Sequence, residues 1–539
     1  MRDRQILDCT LRDGGYVNDW YFGHEQMIEI FQRLVTAGVE YIEVGFLDER
    51  ESFDVNRSIQ PDSACYDKIY SGMDKGTSNV LAMIDYGKCS IEHLTPARES
   101  FLDGIRVIFK EHLRDEALSF CDEVQKLGYK VFAQMVSVTT YTDEALEEYA
   151  SKVNEVMPFA TSMVDTYGLL DAEHLQHIYS ILDKCLAPQV RLGYHAHNNF
   201  QLGYANASTF LANSTERDLL VDGTLYGMGK SAGNAPLELL LMHMNEKHNR
   251  DYVVGQALEA IDNVILPIYR EHYWGYNLFF YISAATKCHP NYVKYFMDKR
   301  TLSVKRIMEL LGTLELGKRL LYDAKYAEQK YIEYQSIACD DTETLEVLAR
   351  KFEGKKLLLL GPGNNIRKQL ECVQAFVAKE LPFVFSVNYV PKEIKVDAVF
   401  LTKSKRYTQM QDAKRQGPSA DAEIIATSNV TRTAGGFPYV VSYESLIDKE
   451  TEVSDNSLVM LLRLLVELNI KEVYLAGFDG YSRTDDNYFD QAFEYNFSKE
   501  KADYFNAYVR EYLDKVKEKL KVQFVTDSFY QIANYGVQR

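Results

Sequence analysis

The chain has 539 residues, 46% hydrophobic and 26% charged, with a net charge of −18. At a prior of about 150 residues per domain this predicts two to four globular domains, a barrel of about 250 residues counting as one. The acidic balance excludes a nucleic-acid binder, because nothing basic enough is present to neutralise phosphates.

From the start to about residue 245, short apolar or β-branched runs alternate with amphipathic stretches. The runs at 5–10, 41–46, 79–84, 104–109, 130–136, 159–165, 190–195 and 219–225 read as strands. Segments such as 25–37, 114–126, 143–156 and 172–186 read as helices between them. Eight strands separated by helices favour an α/β fold of the closed (β/α)8 TIM-barrel type over an open sheet. This first domain is set at 1–250. Residues 251–340 turn helical and aromatic, around Tyr269, Tyr273, Trp274, Tyr276, Phe279, Phe280 and Tyr281. They are expected to form a helical appendage on the barrel or a subunit interface, the latter admitting a homo-oligomer. After a polar boundary at 340–354, strand-like runs at 355–360, 383–387, 398–401, 424–426, 439–441, 473–476 and 523–525 predict a second domain at 355–539. It reads as an open, doubly wound Rossmann-like sheet. The eight cysteines are scattered with no C-x-x-C, as expected of reduced thiols. With no signal-peptide pattern at Met1-Arg2-Asp3-Arg4-Gln5 and no apolar run of about 18 residues, a cytoplasmic protein without a membrane span is expected.

A barrel demands catalytic groups at the C-terminal ends of its strands. Arg12 and Asp13 follow the first strand, Glu43 lies in the second, Gln134 and Ser137 close the fifth, and Asp165 and Thr166 the sixth. His195 and His197 end the seventh, and the glycine-rich run 227–234 follows the eighth. Strand alternation presents His195 and His197 on one side, and Asp13 would complete a two-histidine, one-carboxylate face. Asn234 would add a neutral oxygen. A divalent ion there, manganese or magnesium ahead of zinc or cobalt, would chelate a 2-keto acid and act as a Lewis acid toward an enolate. Arg12 would offer a second positive centre to the enolate oxygen. His174 and His177, at helical spacing between strands, read as solvated surface, and His289 as a weaker candidate for reaching back over the barrel mouth.

Leu11-Arg12-Asp13-Gly14, His195-x-His197-Asn198 and the run to Asn234 resemble the DRE-TIM metallolyases over about residues 1–300. The hydroxy-oxovalerate aldolases are the nearest members. The resemblance implies Asp13, His195, His197 and Asn234 as metal ligands, Arg12 as enolate stabiliser and Glu43 as the glutamate that supports the arginine. One position departs from it. The aldolases carry an acid/base histidine three residues after the metal aspartate, and here that place is Tyr16. Either Tyr16 or a water on the metal moves the proton, or the substrate differs.

In the second domain Gly361-Pro362-Gly363-Asn364-Asn365 ends an apolar strand in a turn suited to a phosphate. With Ser386-Val387-Asn388 and Gly477-Phe478-Asp479-Gly480-Tyr481, it resembles the nucleotide-binding core of bacterial CMP-sialic acid-dependent sialyltransferases and MptE-like domains. That implies Asn364, Asn388 and Ser457 facing a nucleotide or nucleotide-sugar, with Tyr481 and Tyr488 near its phosphate. No histidine follows His289, so the histidine base of those transferases has no counterpart. The expected function is a metal-dependent aldolase joining a pyruvate-type enolate and an aldehyde, in surface-polysaccharide sugar metabolism. The alternative is a Claisen-type acyl-CoA enzyme whose C-terminal half is a docking module.

Overall fold

A computed structural model describes residues 3–299, 301–336, 339–407, 410, 417–430, 436–449, 451, 455–489, 499 and 501–531. Met1 and Arg2, at the start considered for a signal peptide, lie outside the described residues. The chain divides into two compact units, Met1–Ala285 and Thr286–Arg539. No helix among the described residues is long and apolar enough to cross a membrane.

The first unit is an eight-stranded parallel barrel. Its strands are β1 (Arg4–Asp8), β2 (Tyr41–Leu47), β3 (Asn79–Asp85), β4 (Gly104–Phe109), β5 (Lys130–Met135), β6 (Ala160–Asp165), β7 (Arg191–Ala196) and β8 (Leu219–Gly223). Each pairs with the next, and β1 pairs with both β8 and β2, which closes the sheet. The strands are buried on both faces, which is why they read as nearly unbroken apolar runs. Some of the intervening helices begin where a side chain takes up a free N–H: Thr142 accepts from Ala145 and Asp171 from His174.

Strand alternation sorts the barrel interior into layers. Leu7, Tyr41, Leu81, Phe132, Ala160 and Leu220 form an apolar plug. Two residues further along their strands, Glu43, Gln134, Ser162 and Asp222 point the same way, joined by Arg106 of β4. The interior therefore changes from hydrocarbon to charge toward the C-terminal ends of the strands.

The second unit carries a seven-stranded, all-parallel sheet: β9 (Leu357–Leu360), β10 (Phe383–Val387), β11 (Ala398–Leu401), β12 (Glu423–Thr427), β13 (Tyr439–Val441), β14 (Glu472–Ala476) and β15 (Lys521–Phe524). The spatial order is β13-β12-β11-β10-β9-β14-β15. The direction of strand succession reverses between β9 and β14, so a crevice opens there at the carboxyl ends. The two units meet in sequence inside the 251–340 helical stretch. Val254–Ala260 packs on the barrel helix His24–Ala37. Pro290–Asp298, Val304–Gly312 and Ala324–Gln335 belong to the second unit, where Tyr331 donates to Asp455 at 2.8 Å and Gln335 to Tyr443 at 3.1 Å. The 251–340 stretch is thus divided between the two units, with its named aromatics from Tyr269 to Tyr281 in the first.

Candidate active site

A buried chain of charges crosses the barrel just below its C-terminal rim. Arg12 Nε donates to Glu43 Oε2 at 2.8 Å, and Arg106 Nη1 donates to the same oxygen at 2.9 Å. Arg106 also donates to Gln134 Oε1 at 3.0 Å and is paired with Asp222 Oδ2. That Asp222 oxygen faces His195 Nδ1 at 2.9 Å. Burying charges this deeply is costly unless each is paired, and the ring of partners meets that condition. Burial opposes ionisation of Asp222, but Arg106 and His195 outweigh it and lower its pKa.

The other edge of His195 looks toward Asp13, Nε2 to Oδ2 at 3.6 Å. Asp13 is also paired with Arg12, and its second oxygen accepts from the Lys230 N–H at 2.9 Å and Asn234 Nδ2 at 3.0 Å. Against its burial, Arg12 and His195 hold the Asp13 carboxyl well below the usual carboxylate range. The imidazoles of His195 and His197 stand edge to face, 5.1 Å between centroids. Burial pushes His197 down to about 3, so its ring is neutral and able to ligate at neutral pH. Donor atoms of Asp13, His195 and His197 all lie within 4.8 Å of one another. The Asn234 amide oxygen and His197 Nδ1 are buried without a hydrogen-bond partner. Orphaned oxygen and nitrogen donors beside an ionised carboxylate fit a divalent cation. A second grouping, Cys9, His195 and Asp222, fits less well. Its thiol donates to Gly223 O, burial raises its pKa, and its carboxylate is engaged by Arg106. Gly229 makes the approach possible: a Cβ there would fall 2.2 Å from Asn234 Nδ2 and 2.7 Å from Asp13 Oδ1.

Tyr16 stands at the mouth, 42% exposed, packed on Trp20 at 4.7 Å. Its buried surroundings and then Asp13 raise its phenol to about 12, so at neutral pH it holds its proton and can donate. The Lys230 ammonium lies 5.2 Å above the Tyr16 ring. Asp165 instead supports its own loop, accepting from the N–H groups of Leu169 and Leu170, and Thr166 Oγ1 accepts from the Ser137 N–H. His174 and His177 are exposed and bonded to Asp171 and Asp143. His289 falls in the second unit, where its ring caps the helix Pro290–Asp298. Arg106, Asp222 and Lys230 were missed from sequence. The signal for the first two was a lone charge inside an apolar strand.

In the second unit a cavity of about 340 Å³ opens at the strand-order reversal. Gly363, Asn388, Ser457, Tyr481 and Tyr488 line it, while Gly361 and Asn364 are not among its lining residues. Asn388 Nδ2 donates to Ser457 Oγ and Thr402 Oγ1, both at 3.0 Å. Tyr488 donates to Tyr481 at 3.3 Å, and Asn364 to the Asp486 carbonyl. Asp479, raised to about 6 by burial, accepts from the Asn365 N–H at 2.7 Å and clamps the glycine turn. Gly477 (φ +68°) leaves no room for a Cβ, which would lie 2.3 Å from Gly361 O. Lys299, Lys403, Arg406 and Lys501 in the lining are set against Asp298, Asp455 and Asp479.

The HMGL-like family profile matches residues 3–265. A 4-hydroxy-2-oxovalerate aldolase of Marinomonas sp. is 25% identical over 277 residues, covering 50% of this chain and 79% of its own. An oxaloacetate decarboxylase of Mycobacterium tuberculosis is 26% identical over 250 residues, covering 46% and 71%. Among solved structures, an HMG-CoA lyase of Bacillus subtilis aligns at a TM-score of 0.41 and 19% identity, over 50% of this chain and 94% of that one.

Proposed function

Residues 3–265 belong to the HMGL-like family, and from that premise we propose that the chain is a divalent-metal-dependent aldolase working through a pyruvate-type enolate and an aldehyde. The observation that carries this is the orphaned Asn234 oxygen set among Asp13, His195 and His197, with Arg12 alongside. A divalent ion held by these four residues, two oxygen donors and two imidazoles, would supply Lewis-acid stabilisation of the enolate, and manganese or magnesium is our first expectation ahead of zinc or cobalt. Arg12 is held by Glu43 and Asp13, so its remaining N–H donors are fixed in place for a developing enolate oxygen. Glu43 is fixed in turn by Arg106. Tyr16, neutral at working pH, serves as proton donor to the aldehyde-derived oxygen and is too weak an acid to begin the cycle as a base.

Exchange of the pyruvate methyl protons for deuterium, followed by NMR, isolates enolisation from any aldehyde. It should require manganese or magnesium and be lost in Asp13→Asn. Exchange that survives EDTA and that substitution would refute the reading. Turnover of acetyl-CoA with a keto acid, in place of pyruvate with aldehydes, would favour the Claisen alternative.

For the second unit the reading is a nucleotide or nucleotide-sugar site, with the phosphate near Tyr481, Tyr488 and the glycine turn. Support comes from the cavity at the strand-order reversal and from its lining of hydroxyls, amides and both lysine or arginine and aspartate side chains. Coupled to aldol chemistry, such a site would suit a role in surface-polysaccharide sugar metabolism. If CMP and other nucleotides leave the melting temperature of the full chain unmoved, the docking-module reading takes its place.

A further inference from the structure

Each arginine of the barrel site is committed internally: Arg12 to Asp13 and Glu43, Arg106 to Glu43 and Asp222. Lys230 is different. Its main-chain N–H is tied to Asp13 Oδ1 at 2.9 Å, which anchors the residue at the metal carboxylate. Its side chain is exposed, and among the described residues its ammonium makes no ion pair. The ammonium lies over the Tyr16 ring, and its charge is felt at His197. A cation resting on an aromatic face remains free to meet an anion, because the ring leaves its outer side solvated.

We propose that Lys230 is a specificity-determining residue that binds an anionic group, phosphate or carboxylate, on the aldehyde partner. This rests on the aldolase reading above. The direction follows from Tyr16, which stands where the resembled aldolases act on the hydroxyl derived from the aldehyde. A cation above that ring faces the aldehyde end of the substrate, while the 2-keto acid occupies the side of Asp13, His195, His197 and Arg12. An ammonium hydrogen-bonded to an anion there favours the charged aldehyde by about 10- to 100-fold in kcat/KM.

The test compares glyceraldehyde 3-phosphate with glyceraldehyde, and succinic semialdehyde with butanal, each with pyruvate. The wild type should prefer the anionic member of at least one pair, and the pair affected tells phosphate from carboxylate. Lys230→Ala should collapse the ratio through KM for the anionic aldehyde, Lys230→Arg restore it and Lys230→Glu invert it. Without turnover, unreactive glycerol 3-phosphate or succinate, matched to the preferred pair, should bind the wild type in calorimetry and lose that binding in Lys230→Ala. Equal turnover of charged and neutral aldehydes by the wild type overturns the proposal. So does a rise in KM for pyruvate with either aldehyde in Lys230→Ala, which would assign the ammonium to the keto acid. Wild-type protein that exchanges pyruvate protons but shows no charge preference fails this inference alone; protein that exchanges none fails the aldolase reading and this inference with it.

Discussion

Asp222→Asn is the substitution that most directly questions how the barrel holds its histidine ligand. The side chain keeps its shape, and the new amide NH2 can take the place of the buried Asp222 Oδ1, which has no hydrogen-bond partner to lose. What is lost is charge. Asp222 Oδ2 is shared by His195 Nδ1 at 2.9 Å and by Arg106, so the amide answers both donors with a weaker acceptor. Carboxylates that orient a ligating histidine are worth about 10- to 100-fold in metal affinity, or about 1.4 to 2.7 kcal/mol. Arg106 retains Glu43 and Gln134, so the protein should fold with a lowered melting temperature. Competition against a chromogenic chelator for manganese or zinc measures the affinity, and a thermal melt of the metal-free protein measures the stability. Loss of stability with metal affinity unchanged within about twofold would refute the argument, leaving Asp222 only the task of neutralising Arg106.

Three further outcomes follow from the same geometry. Gly229→Ala should lower metal content sharply while the fold persists, because the new methyl displaces either the Asn234 amide or the Asp13 carboxylate; metal analysis with circular dichroism checks it. Asp8, buried and raised to about 7 from 3.8, stays protonated in the folded state while the unfolded chain ionises above about pH 4. Stability should therefore fall as pH rises from about 4 to 7, and Asp8→Asn should gain on the wild type across that window by several kcal/mol at most, near 1.4 per unit; denaturant titrations giving a pH-independent difference would contradict this. In the second unit, Asn388→Ala and Ser457→Ala should each reduce the thermal shift given by CMP, at a cost of about 1 kcal/mol in binding.

The barrel was legible because its strands are covered on both faces and so read as short apolar runs, spaced by amphipathic helices. Of the site, Arg12, Asp13, His197 and Asn234 stood out beyond the strand ends, where a polar residue has no packing reason to follow an apolar run, and Glu43 and His195 stood out within their strands. Arg106 and Asp222 sit inside strands, in Gly104-Ile105-Arg106-Val107 and Leu220-Val221-Asp222-Gly223, each a lone charge in an apolar run. Their purpose depends on residues brought from three other strands, and no local pattern encodes a pairing such as Arg106 with Glu43 and Asp222. Lys230 was hidden differently. Its role comes from the fold of a glycine-rich loop that turns its main chain to Asp13 and its side chain to Tyr16.

The second unit shows why a site between strands is harder to read than one at their ends. The glycine turn after β9, Asn388 after β10 and the turn after β14 were each recognisable as a strand ending. Only the spatial order sets β14 beside β9 and makes these turns neighbours. Even then Tyr295, Lys299 and Thr301 complete the lining from a helical segment that sequence had assigned to the barrel's periphery. The helices from Pro290 onward bury against the core of the second unit, with Tyr331 and Gln335 bonded to Asp455 and Tyr443. Helical periodicity reveals that a face will be covered. It carries no information about which of two sheets will cover it, and here that choice decides which residues reach the cavity.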